Sequence, residues 1–220
     1  VFWVWSDYFR RIMPKSNGQI ATVVGGDLRW RSVDLAAPLA LPPAERRILC
    51  LEQGPTLAYH LRRGSPLPDP VVASIRAAPP GWQWLIRLHP RMISNVSAFV
   101  EGMRRQGIEN VLVEGPSLAP LSSCLESSDA VLTGFSAGAI EAHDAGLPVV
   151  LFEPMAQQLF REPIEAGAMQ FSDDPAGIVA ALAAAARHHQ APLIRRDRRL
   201  ALAAMDEVLA MGAGLGKGAA

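Results

Sequence analysis

The chain has 220 residues, 50% hydrophobic and 19% charged, which is long enough to bury a sizeable core and too apolar to stay disordered. Lys+Arg and Asp+Glu stand at 21 each, so no overall field draws the molecule to nucleic acid or to an anionic membrane. Either contact needs a local patch, and no nucleic-acid partner is expected. Cys50 and Cys124 each sit in an apolar segment outside any CxxC or Cys/His cluster, as expected for buried, reduced thiols in a cytoplasmic protein. The longest apolar runs, such as 147–152 and 178–186, fall short of the ~20 residues that a membrane-spanning helix needs.

In chain order, residues 1–45 read as a crossover and linker. An aromatic stretch over 1–12 opens on Val1 rather than Met, a strand over 20–24 ends in Gly25-Gly26, and 37–43 is Pro-rich. The opening reads as that of a fragment of a longer protein. Over 46–190, short apolar runs predict strands at 47–52, 83–88, 110–113, 130–133, 148–152 and 169–171. Each is apolar throughout, as a strand covered on both faces should be. Helical spacing fills 69–78, 94–106, 118–127, 137–145, 157–166 and 175–188. Pro79-Pro80-Gly81, Gly107, Gly146 and Gly167 fall where these helices should stop. The alternation predicts an α/β fold: a Rossmann-like parallel sheet of about six strands flanked by helices. A basic amphipathic helix follows within 191–211, and 212–220 is expected to be a disordered tail.

The most informative stretch runs from Asp129 to Val150: a strand, a tight turn at Thr133-Gly134-Phe135-Ser136, a helix beginning at Ala137 and Gly138, then the next strand. Such a turn points backbone N–H groups at one spot above the sheet, where a phosphate would be held. Ser136 either caps the helix or donates its hydroxyl to that phosphate, and Glu141 is placed to reach a ribose. The turn lacks the GxGxxG and GxxxxGK[ST] patterns. A second signal is Arg87-Leu88-His89-Pro90-Arg91 at the end of the second strand of the alternation, where His89 leaves the sheet at its carboxyl edge. Ligands bind at that edge in open α/β sheets, and imidazole and guanidinium groups suit an anion.

The run 85–91, Leu-Ile-Arg-Leu-His-Pro-Arg, followed by 128–150, Ser-Asp-Ala-Val-Leu-Thr-Gly-Phe-Ser-Ala-Gly-Ala-Ile-Glu-Ala-His-Asp-Ala-Gly-Leu-Pro-Val-Val, resembles the carboxyl-terminal, donor-binding half of GT-B glycosyltransferases. The resemblance is to the bacterial capsule and cell-surface group: sialyltransferases, Kdo transferases and CDP-glycerol glycerophosphotransferases. It implies half of a GT-B fold, with the opening segment crossing over from an absent amino-terminal half that would supply the glycan or glycolipid acceptor and the catalytic base. It also implies a nucleotide-activated sugar or glycerol-phosphate donor, of CMP or CDP type rather than UDP, used in capsular or cell-surface polysaccharide synthesis. His89 and Pro90 match the family's HP pair, with His89 the catalytic candidate. Ser136 matches the second serine of the sialyltransferase pair, and Glu141 matches the acidic residue after the helix start. Thr133, Gly134, Ala137, Gly138, Arg87 and Gly54 would line the donor phosphates, with Gly115 near the base. Phe135 stands in place of the first serine, and Gly26-Asp27 lacks the family's proline.

Five histidines without ligand spacing and the lack of a DxD motif lead to the expectation of metal-independent donor binding. His143 and Asp144 are adjacent on a helix and are expected to be solvated. The basic residues Arg187, His188, His189, Arg195, Arg196, Arg198 and Arg199 suit a solvated helix, with peripheral contact at the inner membrane face as the alternative. UDP-N-acetylglucosamine 2-epimerases share the architecture but carry a Ser-Gly-Gly turn where this chain has Ser136-Ala137-Gly138. A non-catalytic module that keeps the fold is the reading from another class.

Overall fold

The computed structural model describes residues 2–4, 10–11, 22–25, 38–53, 67–186 and 198–215. The expectations for Gly54, Gly26-Asp27 and the basic residues 187–196 lie outside them. The chain divides into two compact units, 1–35 with 191–220, and 36–190. In the first, β1 (Phe2–Val4) and β2 (Thr22–Val24) pair in parallel, with Val23 buried.

The larger unit alternates strand and helix. Its elements are β3 (Arg46–Leu51), α1 (Asp69–Ala77), β4 (Trp82–Arg87), a 3₁₀ turn (Pro90–Asn95), α2 (Val96–Arg105), β5 (Val111–Leu112), α3 (Glu114–Leu118), α4 (Leu121–Glu126), β6 (Ala130–Thr133), α5 (Gly138–Asp144), β7 (Val149–Leu151), α6 (Pro154–Leu159), α7 (Arg161–Glu165), β8 (Gln170–Phe171) and α8 (Pro175–Ala184). The six strands form one parallel sheet in the order β5-β4-β3-β6-β7-β8. This is the doubly wound arrangement that the strand–helix alternation predicts.

Because strand side chains alternate between faces, each strand contributes to two layers. Ile48, Cys50, Trp84, Ile86, Leu132, Val150 and Phe152 pack with Val71 and Ile75 of α1, Phe99 of α2 and Ile178 and Leu182 of α8. On the opposite face Leu49, Leu51, Leu85, Val131, Thr133, Val149 and Leu151 are also buried. With both faces covered, the strands have no use for the polar alternation of a half-exposed sheet, which is why they read as continuous apolar runs. Arg46 fixes the far end of α8: its guanidinium donates to the carbonyls of Leu182 and Ala185 and lies over the Trp82 ring.

The glycine stops hold. Gly107, Gly146 and Gly167 have positive φ. After α5, Gly146 N donates to His143 O at 2.8 Å and Leu147 N to Ala142 O at 2.9 Å, a Schellman end that turns the chain into β7. Two expected helices differ from the sequence reading. The one expected over 118–127 starts at Leu121 as α4, after a separate α3 that ends at Leu118, because Pro120 holds Ala119 extended at ψ 160°. Residues 157–166 become α6 and α7, with Phe160 leaving helical geometry and Pro163 in the first turn of the new helix, where its missing N–H does no harm. In the smaller unit, α9 (Arg198–Leu215) packs beside β2, and its Ala201 and Ala204 are buried. It runs into the stretch expected to be a tail: each added residue brings a backbone hydrogen bond that offsets the weak propensity of Gly212 and Gly214. No helix among the described residues is long and apolar enough to cross a membrane.

Trp84 is fully buried in the core, and its indole N–H has no hydrogen-bond partner. Trp84→Ala is therefore expected to lower stability by about 3–5 kcal/mol. Trp84→Phe should lose well under half of that, since the N–H it deletes is already unsatisfied. Denaturant midpoints of the two variants check the ordering.

Candidate functional site

Strand order places the site. The chain winds outward from β3 through β4 to β5, then returns to begin again with β6 on the other side of β3. Here α1 covers the Cys50 face, while α5 starts on the other, with the bare Cα of Gly138 packed on Leu51; a Cβ there would lie 2.7 Å from Leu51 Cδ1. Helices leaving to opposite faces open a crevice above the carboxyl ends of β3 and β6, where ligands of doubly wound sheets bind.

The β6–α5 turn is tied into that crevice by Thr133. Its buried hydroxyl donates to Leu51 O at 3.0 Å and accepts from Ser136 N at 3.4 Å. Ser136 Oγ in turn accepts from Gly138 N at 3.2 Å, so the serine caps the helix entry in the ligand-free protein. The backbone N–H groups of Phe135 and Ala137 donate no hydrogen bond to the described residues, and Ala137 is exposed. His89 stands at the exit of β4, the neighbour of β3. Its Nδ1 accepts from Arg91 N at 3.2 Å, which leaves Nε2 to carry the ring proton as a donor. Pro90 opens the 3₁₀ turn that follows. Glu141 is half-buried in the first turn of α5.

Other expected site residues are placed elsewhere. Arg87 shares a row of the sheet with Leu51, but its guanidinium donates to the carbonyls of Pro116 and Ala119. Through Nη1 it secures the α3–α4 connection. Gly115 is exposed, with open space where a Cβ would be. It lines a groove of about 790 Å³ along the edge strand, with Leu41, Met103, Val111, Val113 and Pro116. His143 and Asp144 are not solvated: their side chains are 1% and 2% exposed, with Nδ1 3.4 Å from Asp144 Oδ1. The helix carrying them is covered on more than one side, since Ala139, Ile140 and Ala142 are buried too.

Two acidic residues outside the expected site residues follow β3 and β7 at this end of the sheet. Glu52 follows β3 on the Cys50 face and is 6% exposed; the Cys50 thiol donates to its Oε1 at 3.4 Å. Burial pushes the carboxyl from 4.5 up to about 7, opposed by the thiol hydrogen bond and reinforced by the nearby charge of Glu153. Burial likewise holds Cys50 well above the usual thiol range, so it stays an S–H donor. Glu153, just before α6, lies across the turn. Its Oε1 is 2.7 Å from where a Cβ on Gly134 would sit, so only glycine leaves the carboxyl room in this position. Burial raises its pKa as well. A Glu ending an otherwise apolar strand, as in Cys50-Leu51-Glu52, was the one available sequence signal.

The folded protein keeps the Glu52 proton up to about pH 7, whereas an unfolded chain releases it near 4.5. This contribution to stability is complete below about pH 4.5 and is lost as the pH rises through 7. Glu52→Gln is expected to abolish the loss, which amounts to roughly 3 kcal/mol in full. Denaturation of both proteins between pH 4.5 and 8 measures it, and parallel profiles would contradict the assignment.

No protein-family model and no curated protein sequence matches the chain. Solved structures do match. A crystal structure of the glycotransferase of kitacinnamycin aligns at TM-score 0.50 and 17% identity over 82% of this chain and 45% of its own. The UDP-GlcNAc 2-epimerase of Methanocaldococcus jannaschii, in complex with UDP-GlcNAc and UDP, aligns at 0.52 and 12% over 92% and 57%. Another UDP-N-acetylglucosamine 2-epimerase aligns at 0.50 and 15% over 92% and 54%. The chain thus spans about half the length of the structures it matches. At these identities the likeness is one of fold: the chain has the Rossmann-like architecture of the carboxyl-terminal half of a GT-B protein.

Proposed function

We propose that the chain is the donor-binding half of a glycosyltransferase that uses a nucleotide-activated sugar or glycerol phosphate in capsular or cell-surface polysaccharide synthesis. The observation that carries the reading is the Thr133–Gly138 turn at the strand-order reversal, with two backbone N–H groups, the Ser136 hydroxyl and His89 gathered at the sheet's carboxyl edge. In this reading the turn receives the donor phosphate. Ser136 Oγ donates its proton to a phosphate oxygen while accepting from Gly138 N, and His89 donates through Nε2. Donors fixed before the reaction stabilise the charge that develops on the leaving nucleotide as the sugar departs, and no metal is needed for that. Glu141 holds the ribose. The acceptor and the base come from an amino-terminal half, so turnover needs both halves. A UDP-N-acetylglucosamine 2-epimerase-like enzyme is the second reading, supported by the two matched epimerase structures.

A calorimetric and thermal-shift panel of CMP, CDP, UDP and GDP tests the proposal, because a ligand bound only by the native state raises stability with its affinity. The expected result is preferential binding of CMP or CDP, weakened about tenfold or more in His89→Ala and Ser136→Ala through loss of a hydrogen bond to a charged group. Preference for UDP would favour the epimerase-like reading. Failure of all four to bind would favour a non-catalytic module.

A further inference from the structure

The strand that ends at His89 outruns the neighbour on its outer side. All six residues of β4 pair with β3, but β5 supplies partners only for Trp84 and Leu85. Backbone groups of successive residues in a strand point alternately to its two sides. Trp84 N donates to Asn110 O on the β5 side, while Arg87 O accepts from Glu52 N on the β3 side. Ile86 O and Leu88 N therefore point away from β3, beyond the place where β5 stops, and Ile86 and Leu88 are buried. Groups buried there need partners that no strand provides. Ser117 provides both. Its hydroxyl donates to Ile86 O at 3.3 Å and accepts from Leu88 N at 3.2 Å, and the residue is 3% exposed. The helix that carries it is fastened to the same strand, because Arg87 Nη1 donates to the carbonyls of Pro116 and Ala119 on either side of Ser117. The Cys124 thiol adds a bond to Pro116 O at 3.3 Å. Leu88 is the last residue before His89, whose carbonyl accepts from Met92 N at 2.7 Å and whose ring accepts from Arg91 N. The 3₁₀ turn closed by those bonds packs against α3 as well.

We propose that Ser117 is a positioning residue for His89. By completing the outer edge of β4 up to Leu88, it fixes the point and direction from which the imidazole leaves the sheet, and so where Nε2 delivers its proton to a phosphate. The inference rests on the reading of His89 as a phosphate donor given above. With its hydroxyl engaged in two bonds and almost no exposed surface, Ser117 has nothing to offer a ligand directly. It acts through the imidazole, because a hydrogen bond weakens steeply once donor and acceptor leave alignment. Released from this anchor, His89 keeps its ring and loses its aim.

The test is a double-substitution cycle on the intact chain, with CDP affinity measured by calorimetry for wild type, Ser117→Ala, His89→Ala and the two combined. Ser117→Ala is expected to bind CDP about tenfold more weakly than wild type. In the His89→Ala background the same change is expected to cost less than about twofold, since the group it positions is gone. Nitrogen NMR of the His89 ring supplies a readout that a general loss of stability does not move: wild type is expected to hold its ring proton on Nε2 alone, and Ser117→Ala to populate both tautomers. Ser117→Cys keeps the size of the side chain and offers weaker hydrogen bonds, so it is expected to fall between the two, and it takes the place of Ser117→Ala in the cycle if removing the hydroxyl prevents folding. Equal losses in both backgrounds, full affinity in Ser117→Ala, or an unchanged His89 ring in that variant overturns the proposal and leaves the phosphate site standing. Failure of CDP, CMP, UDP and GDP to bind wild type overturns the phosphate reading, and undiminished binding by His89→Ala removes His89 from it; in either case this inference falls with it.

Discussion

The hydroxyl of Thr133, hydrogen-bonded to Leu51 O, joins the two strands between which the direction of winding reverses, and the crevice depends on that junction. Both faces of the sheet are sealed by helices, which leaves only its edges to meet a ligand. At the carboxyl edge the strands diverge just where β3 and β6 send their chains to opposite faces. Thr133 keeps them in register there and accepts Ser136 N on the same oxygen, so the geometry of the turn is inherited from the sheet. A doubly wound sheet makes its ligand site at the one position where its topology prevents the helices from packing against each other.

The same sealing sets the electrostatics. A carboxyl at the end of a strand in a half-exposed sheet would be solvated and ionised. Glu52 ends a strand covered on both sides and so stays protonated to about neutral pH. Gly134, without a side chain, admits the Glu153 carboxyl onto the turn. His89 is held differently: its ring caps the 3₁₀ turn after Pro90, which fixes one nitrogen and commits the other to donation. The crevice thus combines donors suited to an anion with acids whose ionisation opposes one.

Much of this was legible in the sequence, for stated reasons. Strands buried on both faces announce themselves as short apolar runs, and Gly107, Gly146 and Gly167 mark helix ends because only glycine accepts their positive φ cheaply. The Thr133–Gly138 turn stood out because a strand, small turn residues and a helix start follow one another without interruption. What escaped notice depends on contacts between distant segments. Glu52 and Glu153 are joined only by the strand order, which places β3, β6 and β7 side by side. The bonds from Arg87 to the carbonyls of Pro116 and Ala119 likewise depend on segments about thirty residues away. His143 and Asp144 looked solvated because adjacency on a helix says nothing of how many sides of that helix are covered.

Backbone hydrogen exchange with and without CDP tests most directly whether the β3/β6 crevice is the ligand site. The account predicts slowed exchange across the turn and the start of α5, from Gly134 to Ile140, and at the strand ends around Glu52 and His89, with the edge strand β5 unaffected at its amino end. Protection confined to the groove along β5, or none at the turn while CDP is bound, would contradict it.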